Sequence, residues 1–109
     1  MTDVVTTLRA ALALISEPEN WCQGSSAKDS RGHQVLFDNP GATAWCVNGA
    51  IWRAVGHYTD GDVLRETLCA NGGEAGFFGS TAAFNDAPDT THTEVVALLQ
   101  KAIAKAESE

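Results

Sequence analysis

Between Ala42 and Val55 the chain carries Ala42, Ala44, Trp45, Cys46, Val47, Ala50, Ile51, Trp52, Ala54 and Val55, an almost unbroken apolar stretch. Wound as a helix it is apolar on every side, and such a helix belongs in the middle of a fold. Asp38-Asn39-Pro40-Gly41 opens it, with proline in the first turn where a missing N–H costs nothing. The segment therefore predicts a central buried helix over about 41–56. Gly49 has low helix propensity, so its expected use is to let a neighbouring backbone come close. Asn48 and Arg53 are the polar residues on the helix body. If buried they need partners, because an unpaired amide costs on the order of a few kcal/mol and a charge more.

Three further helices are expected around this one. The first runs from about Asp3 to Ser16, with Val4, Val5, Leu8, Ala11, Leu12 and Ile15 as one stripe at helical spacing. It stops at Glu17-Pro18, because the residue before proline is pushed out of the α region. Another follows Asp60 as N-cap, from about Gly61 to Ala70. In the last, Thr91-His92-Thr93-Glu94 fits a reciprocal capping box, followed by an inner stripe of Val95, Val96, Leu99, Ala102, Ile103 and Ala106. Turn residues at 24–32, followed by His33-Gln34-Val35-Leu36-Phe37, suggest a short β-hairpin near 27–37. The expected fold is a single domain, mainly α, with about four helices packed around the 41–56 helix. Seventeen alanines leave only 23 Leu, Ile, Val and Phe for the core, enough for one domain of 109 residues and not two.

Charge narrows the partners. Fourteen acids against seven bases give a net charge of −7, and no two bases are adjacent. A phosphate backbone is held by clustered Lys and Arg, so neither nucleic acid nor an anionic membrane is an expected partner. The apolar run from Ala10 to Ile15 is far shorter than the roughly 20 residues that span a bilayer. Asp3 stands where an export signal needs positive charge. Cys22, Cys46 and Cys69 are odd in number and unpaired in spacing, which argues for reduced thiols and a cytoplasmic setting. Cysteines and histidines show no zinc spacing, and Gly72-Gly73-Glu74-Ala75-Gly76 lacks the lysine of a phosphate loop. Neither a metal nor a cofactor is expected.

Two constellations could carry chemistry. If the start of the last helix packs near Cys46, then Cys46, His92 and Asn85 or Asp86 would form the thiol–imidazole–amide arrangement of a Cys–His hydrolase or transferase, with Gln23 as oxyanion donor. Against this, a cysteine flanked by Trp45 and Val47 is also ordinary packing, and Asn85-Asp86-Ala87-Pro88 is also a plain turn. A helix N-terminus further disfavours an imidazolium at His92. Second, Arg53 on an apolar helix calls for a carboxylate from Asp29, Asp38 or Asp86. With Asn48 it would fix how loops cross the helix or line a pocket for a small polar or anionic ligand.

Trp21 with Gly24, Ala27-Lys28-Asp29 before Gly32, Trp45-Cys46-x-x-Gly49-Ala50, Asn85-Asp86-x-Pro88 and Thr91-His92-x-Glu94-Val95 together resemble an uncharacterised family of small bacterial and phage proteins, a domain of unknown function. The resemblance spans about Trp21 to Leu99, with Lys28 in place of Arg and Phe84 in place of Trp. It implies an intracellular bacterial or phage setting and supplies no reaction. The function expected from the residues is that of a small non-enzymatic binding or accessory domain. Its contact surface would involve the Asp29 loop and the Asn85–His92 loop, and its partner would be a protein or a small molecule.

Overall fold

The computed structural model describes residues 4–56 and 85–108. In chain order these form α1 (Val4–Leu14), a 3₁₀ turn (Pro18–Asn20), β1 (Ala27–Asp29), β2 (Gln34–Val35), β3 (Ala42–Trp45), α2 (Val47–Val55) and α3 (His92–Glu107). The strands make one antiparallel sheet in the order β2-β1-β3, and Trp21 adds a parallel bridge to Trp45 on the far side of β3. The expected Gly61–Ala70 helix lies outside the described residues.

The mainly α arrangement of four helices around residues 41–56 is not what forms. Residues 42–45 are a strand, and the helix begins only at Val47 with Cys46 as its N-cap. Two local forces account for this. Asn39 builds a turn, its side chain accepting from Gly41 N at 2.7 Å and its carbonyl from Ala42 N at 3.0 Å, which delivers the chain in extended form. Thr43 and Trp45 then suit a pleated surface, Thr43 facing solvent and Trp45 the core. A short apolar run reads equally as buried strand or buried helix, and backbone pairing with β1 decides the matter. The helix that packs against both others is α1, which contacts α2 and α3.

Elsewhere local signals and structure agree. In α1, Leu8, Ala11 and Ile15 are fully buried, as their stripe requires. Glu17 is extended before Pro18, which ends the helical path. The hairpin near 27–37 forms as β1–β2, and its turn is held by Asp29, whose Oδ1 accepts from Arg31 N and His33 N at 2.9 Å each. In α3, Thr91 Oγ1 accepts from Glu94 N and donates to Glu94 Oε1, while Val95, Leu99 and Ala102 reach zero exposure. Each fully buried Leu, Ile or Val contributes about 1.5–3 kcal/mol. Leu8, Ile15, Val47, Ile51, Val95 and Leu99 are the largest such apolar side chains.

Gly49 does what its place in an apolar helix suggested. A Cβ built there would lie 1.9 Å from the carbonyl oxygen of Ser26, which is backbone and cannot swing aside. Gly49→Ala therefore forces α2 away from the β1 approach. The roughly 1 kcal/mol gain in helix propensity is outweighed by overpacking of roughly 1–3 kcal/mol or more. Urea unfolding is expected to show a lower midpoint at unchanged slope; a midpoint equal to or above that of the parent chain would refute the tight contact.

Candidate functional site

Three stretches of chain meet at one fully buried side chain. Asn85 stands outside the sheet and faces both the Trp21 segment and the start of α2. Its Oδ1 accepts from Trp21 Nε1 at 2.7 Å and from Val47 N at 3.0 Å, while its Nδ2 donates to Cys22 O at 3.1 Å and to Asp86 Oδ1 at 2.9 Å. An asparagine amide offers two lone pairs and two protons, so all four capacities are used. Val47 N is one of the donors that a helix start leaves without an intrahelical partner, and Asn85 supplies the acceptor. Cys46 covers another, its Sγ accepting from Gly49 N at 3.2 Å.

The backbone at 85–87 is clamped from the other side. Gln23 Nε2 donates to Asn85 O at 2.9 Å and to Ala87 O at 3.0 Å, and Gly24 N donates to Asp86 Oδ1 at 2.9 Å. Gly24 does this at φ +84°, a left-handed conformation that costs glycine little. Gln23, proposed from sequence as an oxyanion donor, thus spends its amide on two carbonyls. Trp21 was the partner that sequence reasoning missed. The available signal was its indole N–H, which needs an acceptor when the ring is buried.

His92 joins this cluster at its margin. Its ring lies 6.2 Å from the Trp21 ring, and Nε2 is 2.7 Å from Ile15 O at the end of α1. That contact makes Nε2 the protonated nitrogen, donating to the carbonyl. Among the described residues no bond joins His92 to Cys46; the thiol is committed to Gly49 N and the imidazole to Ile15 O. Burial pushes the Cys46 thiol up to about 11, with Cys22 and Asp86 adding to the rise and the Gly49 N–H opposing it. At neutral pH the Cys46 thiol is therefore held in its protonated form. The geometry brings Cys46, Asn85 and Asp86 to one junction and leaves the nucleophile protonated.

The Arg53 constellation does not assemble. Arg53 sits 5.8 Å above the Trp45 ring, and its Nη1 donates to Phe37 O at 3.4 Å, sharing that carbonyl with Trp45 Nε1 at 3.1 Å. Among the described residues no carboxylate pairs with it. Asp29 is engaged in its own turn and Asp86 with Gly24 and Asn85. A half-buried guanidinium on an indole face keeps its outer edge in water and needs no ion pair. Asn48 Oδ1 is buried without a hydrogen-bond partner among the described residues. Among the described residues no group of three or more His, Cys, Asp or Glu is arranged to hold a metal, and no helix is long and apolar enough to cross a membrane.

A three-stranded sheet carrying helices, locked by one asparagine, defines a small mixed α/β domain. Residues 1–105 match a family described as a family of unknown function, DUF6197, and the chain belongs to that family. No curated protein and no solved structure matches it.

Two outcomes follow from this geometry. Asn85→Ala strands the Trp21 and Val47 donors in the interior, for a loss of roughly 2–5 kcal/mol, measurable by chemical denaturation. Asn85→Asp keeps both acceptors but sets a second carboxylate beside Asp86 and the Cys22 carbonyl, raising the folded pKa of the new group. Its variant is then most stable at low pH and loses stability as pH rises through that value. A flat pH profile would contradict the hub. At the exposed hairpin, N–H bonds from His33 and Arg31 hold the Asp29 carboxyl below the usual range. Its contribution is present above the unfolded value and disappears as pH falls through the lower folded one, so NMR titration of the Arg31 and His33 amides should show a midpoint below about 3.9.

Proposed function

We propose that this chain is a non-enzymatic binding domain acting in the cytoplasm. The observation that carries the reading is the commitment of three of the four catalytic candidates to internal bonding: Cys46 as a helix cap, His92 on Ile15 O, Asn85 with all four bonds made. A Cys–His hydrolase needs a thiolate with an imidazole beside it, and a thiol raised to about 11 works against that chemistry. Free thiols at Cys22 and Cys46 accord with a reducing compartment. The motif resemblance supports a bacterial or phage setting.

The surface that favours contact lies at the open edge of the sheet. Among the described residues Leu36 is the large apolar residue left exposed, at 62 %. It borders a shallow concavity of about 370 Å³ lined by Ser25, Ser26, Gln34, Val35 and Leu36. This extends the Asp29 loop surface along β2, whose outer side has no strand partner among the described residues. Sparse, separated bases and a net charge of −7 favour a protein or small-molecule partner over nucleic acid.

Two measurements test the reading. With iodoacetamide on the native chain, Cys46 is expected to remain unmodified at pH 7–8; alkylation there faster than a free thiol would restore the enzyme reading. A photo-crosslinker at position 36 is expected to capture a defined partner from source lysate, displaced by excess parent chain and not by chain carrying Leu36→Asp. A strictly monomeric chain that captures nothing at this edge would overturn the binding reading.

A further inference from the structure

The two described cysteines are far apart in sequence and meet at one place in the fold. Trp21 and Trp45 form a parallel bridge, and Cys22 N donates to Trp45 O at 3.1 Å. The next residue on each chain is a cysteine. That hydrogen bond, with the short covalent links from Cys22 N to its own Cα and from Trp45 O to the Cα of Cys46, keeps the two cysteine Cα atoms within about 7 Å of each other, close to the roughly 4.4–6.8 Å that a disulfide spans.

Both sulfurs are bonded to backbone at this junction. Cys22 Sγ donates to Ser25 O at 3.6 Å, and Cys46 Sγ accepts from Gly49 N at 3.2 Å. Ser25–Ser26 is the backbone pressed against Gly49, so both thiols face the same junction. Burial raises both thiols, and each feels the charge of Asp86; Cys46 also feels Cys22 directly. Lys28 partly offsets the rise at Cys22 and has no such effect on Cys46.

We infer that Cys22 and Cys46 are a dithiol that hydrogen peroxide converts to an intramolecular disulfide, a modification tying the Trp21 segment to the start of α2. Cys22 is the residue attacked first. Its thiolate takes the distal oxygen of the peroxide, the O–O bond breaks, and Cys22 becomes a sulfenic acid while hydroxide leaves and is protonated to water. The Cys46 thiolate then attacks the Cys22 sulfur. The S–S bond forms, the S–O bond breaks, and the released hydroxide takes up the proton that Cys46 gave up. Two thiols are oxidised and one peroxide is reduced to two waters.

Trypsin separates the three cysteines, placing Cys22 in residues 10–28, Cys46 in 32–53 and Cys69 in 66–101. The native full chain, fully reduced, is treated with hydrogen peroxide at pH 8, then denatured, alkylated and mapped. The expected product is peptide 10–28 joined to 32–53, lighter by two hydrogens than the sum of the two and released by reductant. Two freely alkylated thiols at these positions would overturn the inference, as would a sulfinic acid on Cys22 beside an alkylated Cys46, or linkage through Cys69. In chain carrying Cys22→Ser, Cys46 is expected to stay alkylatable after the same treatment. Oxidation of Cys46 at an undiminished rate in that variant would also refute the assignment.

Discussion

One side-chain amide holds this fold in register. Asn85 is completely buried, and its partners are an indole N–H, a backbone N–H at a helix start, a backbone carbonyl and a neighbouring carboxylate. Burying an amide is costly unless each of its groups is bonded. That requirement turns a single residue into a geometric constraint on the Trp21–Gly24 segment, on Cys46–Val47 and on the backbone at 85–87. The sheet, the start of α2 and the approach to α3 take their mutual positions from it. A purely apolar residue at the same place would fill the space without selecting among those arrangements.

The second constraint is steric. Ser26 and Gly49 approach so closely that no side chain fits between them. This lets β1 lie against α2, and it brings the Ser25–Ser26 backbone into reach of two thiols. Packing and polar satisfaction therefore reinforce each other at one junction: the amide fixes where the segments lie, and the glycine fixes how near they come.

Much of this was legible in the residues. The α1 stripe, the stop before Pro18, the hairpin near Asp29, the capping box at Thr91–Glu94 and the close approach at Gly49 follow from local rules, and each is present. The reading failed where the signal was ambiguous between periods. Ala42 to Trp45 is apolar enough for either helix or strand, and its identity depends on Ala27–Asp29, a segment more than a dozen residues away. The wiring of the junction was not legible. Asn85, Asp86 and Cys46 do come together, but their bonds run to Trp21, Gly24 and the Val47 and Gly49 amides, which no spacing rule could foretell. Among the described residues Arg53 meets an aromatic face and a carbonyl, both invisible to charge pairing.

The separation of Asn85 from its partners bears on how the molecule is built in time. Trp21 and Val47 lie 64 and 38 residues before it along the chain, whereas the β1–β2 and β1–β3 pairings close loops of modest length. Loop-closure entropy makes distant contacts form late, after nearer ones have reduced the search. The amide is then a latch set after the barrier has been crossed. Weakening it leaves the rate of acquisition nearly unchanged and shortens the lifetime of the finished state, which a chevron would register in its unfolding arm. Kinetic persistence in this small domain thus resides in a residue that takes no part in nucleating it.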